Sequence, residues 1–146
     1  MSELLDPKKM CDSFGRFYAT GRRKSAVARV WIKSGSGNFI VGTSKKDRRS
    51  LDDYLRHPHL MKVVRDPFVV TKTDGKYDVF LTVSGGGVSG QASAIAHGIS
   101  KALSYVSVDF HKALRAHFML TRDCRIVERK KYGHHKARKS PQYSKR

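Results

Sequence analysis

The amino-acid sequence predicts an α+β fold, a two-layer sandwich in which helices cover one face of a mixed sheet, followed by a basic C-terminal arm. Three observations carry this. Alternating apolar runs near residues 26–33 and 77–83 have the period of half-buried strands. A stretch from Gln91 to Val106 repeats apolar side chains at three- and four-residue spacing, the stripe of a helix lying on a sheet. The last 18 residues hold eight cations, no acid and little apolar content. Strands and helices are segregated enough to place the helices on one face.

The elements follow in order. Ser25 to Lys33 puts Ala26, Ala28, Val30 and Ile32 on one face and Val27, Arg29, Trp31 and Lys33 on the other, so one face is apolar and the other basic with an aromatic. A Gly35-Ser36-Gly37-Asn38 turn then leads to Phe39 to Val41, and the two runs read as a hairpin. Thr43 to Arg49 is a basic loop. Ser50 precedes Leu51-Asp52-Asp53-Tyr54-Leu55, which places a capping hydroxyl and two carboxylates at the start of a short helix, where free amides and the dipole favour them. A second short helix starts after His57-Pro58. Pro67 to Thr71 and Tyr77 to Val83 flank Thr73-Asp74-Gly75-Lys76, an Asp-Gly hairpin signal, with Val79, Leu81 and Val83 sharing a face. The helix at Gln91 to Val106 has Ile95, Ile99, Ala102, Leu103 and Val106 in its stripe. Another, from Asp109 to Phe118, completes the core. The expected organisation is an N-terminal extension over residues 1–15, a globular domain over 16–120 and an arm over 121–146.

Charge narrows the function. The chain of 146 residues has 30 Lys and Arg against 12 Asp and Glu, a formal charge of +18. Self-repulsion of that size is relieved by an anionic partner, nucleic acid or an acidic membrane, and a spanning helix is ruled out because the apolar runs fall far short of about 20 residues. Arg129, Lys130, Lys131, Lys136, Arg138, Lys139, Lys145 and Arg146 carry nearly half of the excess. This tail cannot bury enough surface to offset its ordering entropy, so it reads as an extended arm, disordered alone and held against nucleic acid. MSELLDPKKM has neither a secretory h-region nor a transit-peptide composition, so the chain works where it starts or has already lost a presequence. Cys11 and Cys124 lie far apart without CxxC spacing, which fits a reducing compartment.

Enzymatic readings find little support. His57-x-His59 and His134-His135 lack accompanying Cys or carboxylates at ligand spacing, and the second pair lies among cations, so no metal is expected. The carboxylates scatter, and Ser89 in GVSG is not a nucleophile elbow. Gly85-Gly86-Gly87-Val88-Ser89-Gly90 satisfies GxGxxG between a strand and a helix, but too little chain follows for a dinucleotide-binding sheet. Two readings of this loop stay open: an anion site formed by bare backbone and helix N-terminal amides, or glycines required only by a tight turn. Gly21-Arg22-Arg23-Lys24-Ser25 lacks the spacing of a P-loop and is a basic turn, facing phosphates or merely solvated. Neither a cofactor nor a homo-oligomer is expected. A nucleotide-dependent enzyme and a free-standing RNA chaperone remain the competing classes.

A resemblance sharpens this. Tyr18-Ala19-Thr20-Gly21-Arg22-Arg23-Lys24-Ser25-Ala26-Val27-Ala28-Arg29-Val30, Ser84-Gly85-Gly86-Gly87-Val88-Ser89-Gly90-Gln91-Ala92, Leu120-Thr121-Arg122-Asp123, Val127-Glu128-Arg129-Lys130-Lys131-Tyr132-Gly133 and Lys136 to Arg146 resemble, in this order, the family of the ninth protein of the small ribosomal subunit, in its bacterial and organellar branch. The resemblance covers about Phe17 to Arg146. It implies a fold similar to the second domain of the fifth small-subunit protein, with a left-handed βαβ crossover that sequence patterns alone do not predict. It implies a structural role in the subunit head, beside other head proteins, with no enzymatic activity. Ribosomal RNA would be bound by Arg22, Arg23, Lys24, Arg29, Gly85, Gly86, Gly87, Gly90, Gln91, Arg122, Arg125, Arg129, Lys130, Lys131, Lys136, Arg138 and Lys139. Ser144, Lys145 and Arg146 would approach the anticodon region of peptidyl-site tRNA, within the ~60 Å reach of an extended 18-residue arm. Gly42 to Arg49 is longer than the family's usual turn, and Met1 to Gly15 extends the N-terminus. Together with the unpaired cysteines these favour a mitochondrial ribosome over one in the bacterial cytoplasm.

Overall fold

The computed structural model describes residues 11–42 and 47–145. The expected N-terminal extension is therefore described only from Cys11, the loop after Gly42 only from Asp47, and Arg146 lies outside the described residues. Five strands, β1 (Phe17–Arg23), β2 (Ala26–Ser34), β3 (Phe39–Val41), β4 (Arg49–Ser50) and β5 (Tyr77–Ser84), form one sheet in the order β1-β2-β5-β3-β4. Four helices accompany it: α1 (Leu51–Leu55), α2 (Pro58–Thr71), α3 (Val88–Val106) and α4 (Val108–Ala116). All pairs are antiparallel except β3 with β5, which run parallel and are joined through the helices α1 and α2. The mixed sheet and segregated helices agree with the α+β expectation.

The core lies between sheet and helices. Ala26, Ala28, Val30 and Ile32 from β2 and Val79 and Leu81 from β5 are buried, as alternation predicts. They meet Ala92, Ile95, Ile99, Ala102 and Leu103 from α3 and Leu60, Val64 and Phe68 from α2. Ser50 does cap α1, its hydroxyl accepting from the Asp52 amide at 3.2 Å. Helix α3 lies directly on the edge strand. A Cβ on Gly21 would stand 1.9 Å from the Ala94 carbonyl oxygen, and one on Gly98 2.7 Å from Val30 Cγ2. Glycine on both sides lets the backbones approach closely enough to bury the aliphatic stripe. Among the described residues no helix is long and apolar enough to cross a membrane.

Two expectations are corrected, and one strand is added. Phe39 to Val41 does not pair with β2, because β5 inserts between them. Asp78 of β5 accepts from the amides of Ser36 and Asn38 at 3.0 and 2.9 Å, which ties the glycine turn to β5 and leaves β2 free to pair along its length with that longer strand. Pro67 to Thr71 is the last part of α2 and no strand. Its β-branched residues suggest a strand locally, yet Leu60, Met61, Val64, Pro67, Phe68 and Thr71 fall on one helical face and are all buried, so packing overrides propensity. The Asp-Gly turn thus connects a helix to β5. Finally, Phe17 to Arg23 is a strand that the pattern did not reveal. Its inward positions run Phe17, Ala19, Gly21 and Arg23, and the two buried ones, Ala19 and Gly21, are too small to mark an apolar face.

Candidate nucleic-acid interface

The basic turn is the tip of the β1–β2 hairpin. Arg23 pairs with Ala26 in register, leaving Lys24 and Ser25 as a two-residue loop in which Lys24 is left-handed, with φ of 51°. Strand alternation separates the cations: Arg22 is exposed on the face that bears Arg29, Arg23 turns toward the helices, and Lys24 stands exposed at the tip. The glycine turn meets this hairpin from the other side. Gly85 and Gly86 have φ of 70° and 68°, and a Cβ on Gly85 would fall 2.6 Å from the Ser25 carbonyl oxygen. These two glycines are therefore required by the turn itself. Gly87 and Gly90 are not: added Cβ atoms there meet nothing closer than 3.8 Å.

Gly87 is the N-cap of α3 and supplies no side-chain acceptor, so the first amides of a 19-residue helix open next to the hairpin, where a Cβ on Gly90 would stand 3.8 Å from the Arg23 carbonyl oxygen. The tight-turn reading accounts for Gly85 and Gly86, while Gly87 to Gly90 form a helix end without a side-chain cap. Gln91 has a different place. Its Nε2 donates to the Gly85 carbonyl at 3.1 Å while its Oε1 accepts from the Tyr54 hydroxyl at 2.8 Å. The side chain is engaged within the fold and braces the turn against α1.

Behind the hairpin tip, Arg22, Arg23, His97, Arg122, Asp66 and Asp123 help to line a cleft of about 250 Å³. Asp123 holds the chain after α4 against β1: its Oδ2 lies 3.0 Å from Arg23 Nη2 and 2.7 Å from Arg125 Nη2. The Arg125 hydrogen bonds, first from the side chain and then from the backbone, pull the Asp123 carboxyl far below its usual range. Arg23 Nη1 is buried and has no hydrogen-bond partner among the described residues. His97 accepts from the Arg22 amide at Nδ1, 3.4 Å, and also bonds the Leu120 backbone. Burial is the main cause that lowers its pKa, with Lys101 and Arg122 adding repulsion.

After Ala116 the described residues contain no further helix or strand. Arg122, Arg125, Arg129, Lys130, Lys131, Lys136, Arg138, Lys139, Ser144 and Lys145 are all exposed. Arg138 is engaged nonetheless, with its Nε and Nη2 at 3.0 and 2.6 Å from the Glu128 carboxylate. This bidentate pair, which lowers the Glu128 pKa, closes the chain between them into a local loop, supported by the His135 amide donating to Lys139 at 2.8 Å. Sequence reasoning missed both carboxylate anchors. Their signal is the isolation of Asp123 and Glu128 as the only acids after Asp109. Among the described residues no group of three or more His, Cys, Asp or Glu side chains could hold a metal ion.

Fold and surface thus define a class: a small, strongly basic α+β protein whose cations gather on the hairpin tip, the uncovered sheet face and the C-terminal segment. Comparison with known proteins makes this particular, for the chain belongs to the ribosomal protein S9/S16 family, which matches residues 21–146. It is 55% identical to the small ribosomal subunit protein uS9 of Rickettsia bellii over 140 residues, 96% of this chain and 82% of that one. With the uS9 protein of Rickettsia felis the identity is 52% over 143 residues, 98% and 86% of the two chains. Membership makes the chain a structural, non-enzymatic ribosomal protein. The relatives are bacterial, and the preference for a mitochondrial ribosome finds no support among them.

Proposed function

We propose that the protein is built into the head of a bacterial small ribosomal subunit in the cytoplasm, where it binds the subunit's RNA and touches neighbouring head proteins. The observation that carries this is the convergence of the hairpin tip, where Arg22 and Lys24 are exposed and Arg23 is held behind them by Asp123, with the Gly85 to Gly87 turn and the uncapped α3 N-terminus at one end of the sheet. Cations there attract phosphate at long range and the bare amides bond it at short range. Arg29 extends the contact over the sheet. Gly90 lets the backbone approach, and Gln91 positions the turn. Arg122 and Arg125 lead into a segment whose Arg129, Lys130, Lys131, Lys136, Arg138 and Lys139 neutralise further phosphates and release counterions.

In this reading the segment after residue 120 is an arm that orders on RNA, and the Glu128–Arg138 pair opens as phosphates compete for the guanidinium. The resemblance further suggests the fold of the second domain of the fifth small-subunit protein, with a left-handed β3-to-β5 crossover. Ser144, Lys145 and Arg146 then face the anticodon stem-loop of peptidyl-site tRNA, with Arg146 presenting a planar fork to a phosphate. Deleting Ser144 to Arg146 is expected to leave subunit assembly intact while weakening tRNA retention, read by filter binding of tRNA to programmed subunits. Unchanged tRNA affinity would remove the tRNA part of the proposal.

A further inference from the structure

The sheet face that the helices leave uncovered has an unusual row. Where alternation would put polar side chains, the register aligns Tyr18 of β1 with Trp31 of β2, Trp31 with Phe80 of β5, and Phe80 with Ile40 of β3. The three rings are neighbours, with centroids 5.1 Å apart between Tyr18 and Trp31 and 5.6 Å between Trp31 and Phe80. Tyr18 is 39% exposed, and the other three side chains are only partly buried. Four apolar residues across four adjacent strands form a continuous strip, and none of them belongs to the core on the opposite face.

Its surroundings are cationic. Arg29 lies one position along the same face of β2, Lys33 on its other side and Arg22 near the tip. The Arg48 guanidinium stands over the Phe80 ring, 5.5 Å from its centroid. Asp78 shares this face, but its carboxylate is occupied by the Ser36 and Asn38 amides. Rings bordered by arginines on an open sheet are the chemistry that recognises unpaired bases: the π faces stack while the cations take the phosphates. Aromatic rings and arginines also suit a protein interface, but Arg22, Arg29, Lys33 and Arg48 border this strip while the one strand carboxylate on the face, Asp78, is occupied, and charge this one-sided favours a polyanion.

We propose that Tyr18, Trp31 and Phe80 form a stacking platform for unpaired bases of single-stranded RNA, with Arg29 and Arg48 holding the backbone at its rim. This rests on the reading that the protein lies on RNA, and adds that it reads bases as well as phosphates on a face distinct from the hairpin tip. Strand spacing of ~4.8 Å sets the three rings across a width that accommodates two or three bases.

Trp31 is the only tryptophan in the chain, so its emission reports directly on the platform. The full-length protein is titrated with a single-stranded oligoadenylate and, separately, with inorganic polyphosphate of matching charge. The expected result is saturable quenching by the oligoadenylate alone. Tyr18→Ala and the milder Phe80→Leu should weaken oligoadenylate binding on the order of tenfold while leaving polyphosphate affinity unchanged. Equal quenching by both polyanions, or unchanged oligoadenylate affinity in both variants, would overturn the platform. Loss of small-subunit association in Tyr18→Ala with oligoadenylate binding intact would assign the row to a protein partner and overturn it equally. Because co-sedimentation of the wild-type protein with the subunit is scored independently, failure of the platform is distinguishable from failure of the ribosomal reading.

Discussion

His97 joins two segments through one ring, and its protonation state decides whether it can. Nδ1 accepts the Arg22 amide, which only the neutral imidazole can do, and the ring also bonds the Leu120 backbone. Burial first, and the nearby Lys101 and Arg122 next, depress its pKa below the ordinary value of 6.5. A folded pKa below the unfolded one means stability that is present above about pH 6.5 and lost as pH falls through the folded value. Melting temperature should therefore drop between pH 7.5 and pH 5 more in the wild type than in His97→Gln, which retains an acceptor and has nothing to titrate. Asp78 and Asp123, both lowered from 3.8, stay ionised across this window. Equal drops in the two proteins would mean that His97 has no part in the loss. None of this was legible in the sequence, where a histidine in an apolar stripe has no visible partner; Arg22 and Leu120 reach it only through the fold.

At the scale of elements, glycine sets how the layers meet. Gly21 and Gly98 let α3 rest on β1, so Gly21→Ala must push the helix away from the sheet, because the obstructing atoms are backbone. We expect a loss of at least about 3 kcal/mol in denaturant unfolding. Gly90→Ala, within α3 and with ordinary contacts at 3.8 Å, should instead be neutral or stabilise by up to about 1 kcal/mol. Similar effects from the two substitutions would refute the packing argument. The same elements show what sequence patterns convey. Strands β2 and β5 and helix α3 were legible because their inward faces carry large aliphatic residues at a clear period. Strand β1 was hidden by the small residues that make the close approach possible. The β-branched end of α2 was misread because its burial, evident from Leu60 to Thr71 only at helical spacing, outweighs local preference. The β2–β3 hairpin failed for a topological reason: the residues that separate those strands, β5, arrive some 40 positions later, and only the Asp78 contacts to Ser36 and Asn38 reveal it.

Over the whole molecule, charge is the feature on which the proposed function rests. A formal +18 on 146 residues was visible at once, as were the basic turn and the cationic C-terminal segment. What composition could not disclose was their arrangement: Arg22 and Arg29 on one sheet face, Arg23 turned away and tied to Asp123, and Arg138 held by Glu128. Family membership converts that charge into a ribosomal role, and the geometry suggests how the domain docks, through the hairpin tip, the glycine turn and the α3 N-terminus together. The most direct test is sedimentation of the tagged protein from a lysate through a density gradient, before and after a high-salt wash. Stoichiometric migration with the small subunit that survives the wash is the predicted result, because many phosphate contacts and a folded RNA site act together. Migration near the top of the gradient, or loss from the subunit at modest salt, would contradict it and reduce the basic surface to a transient RNA-binding one.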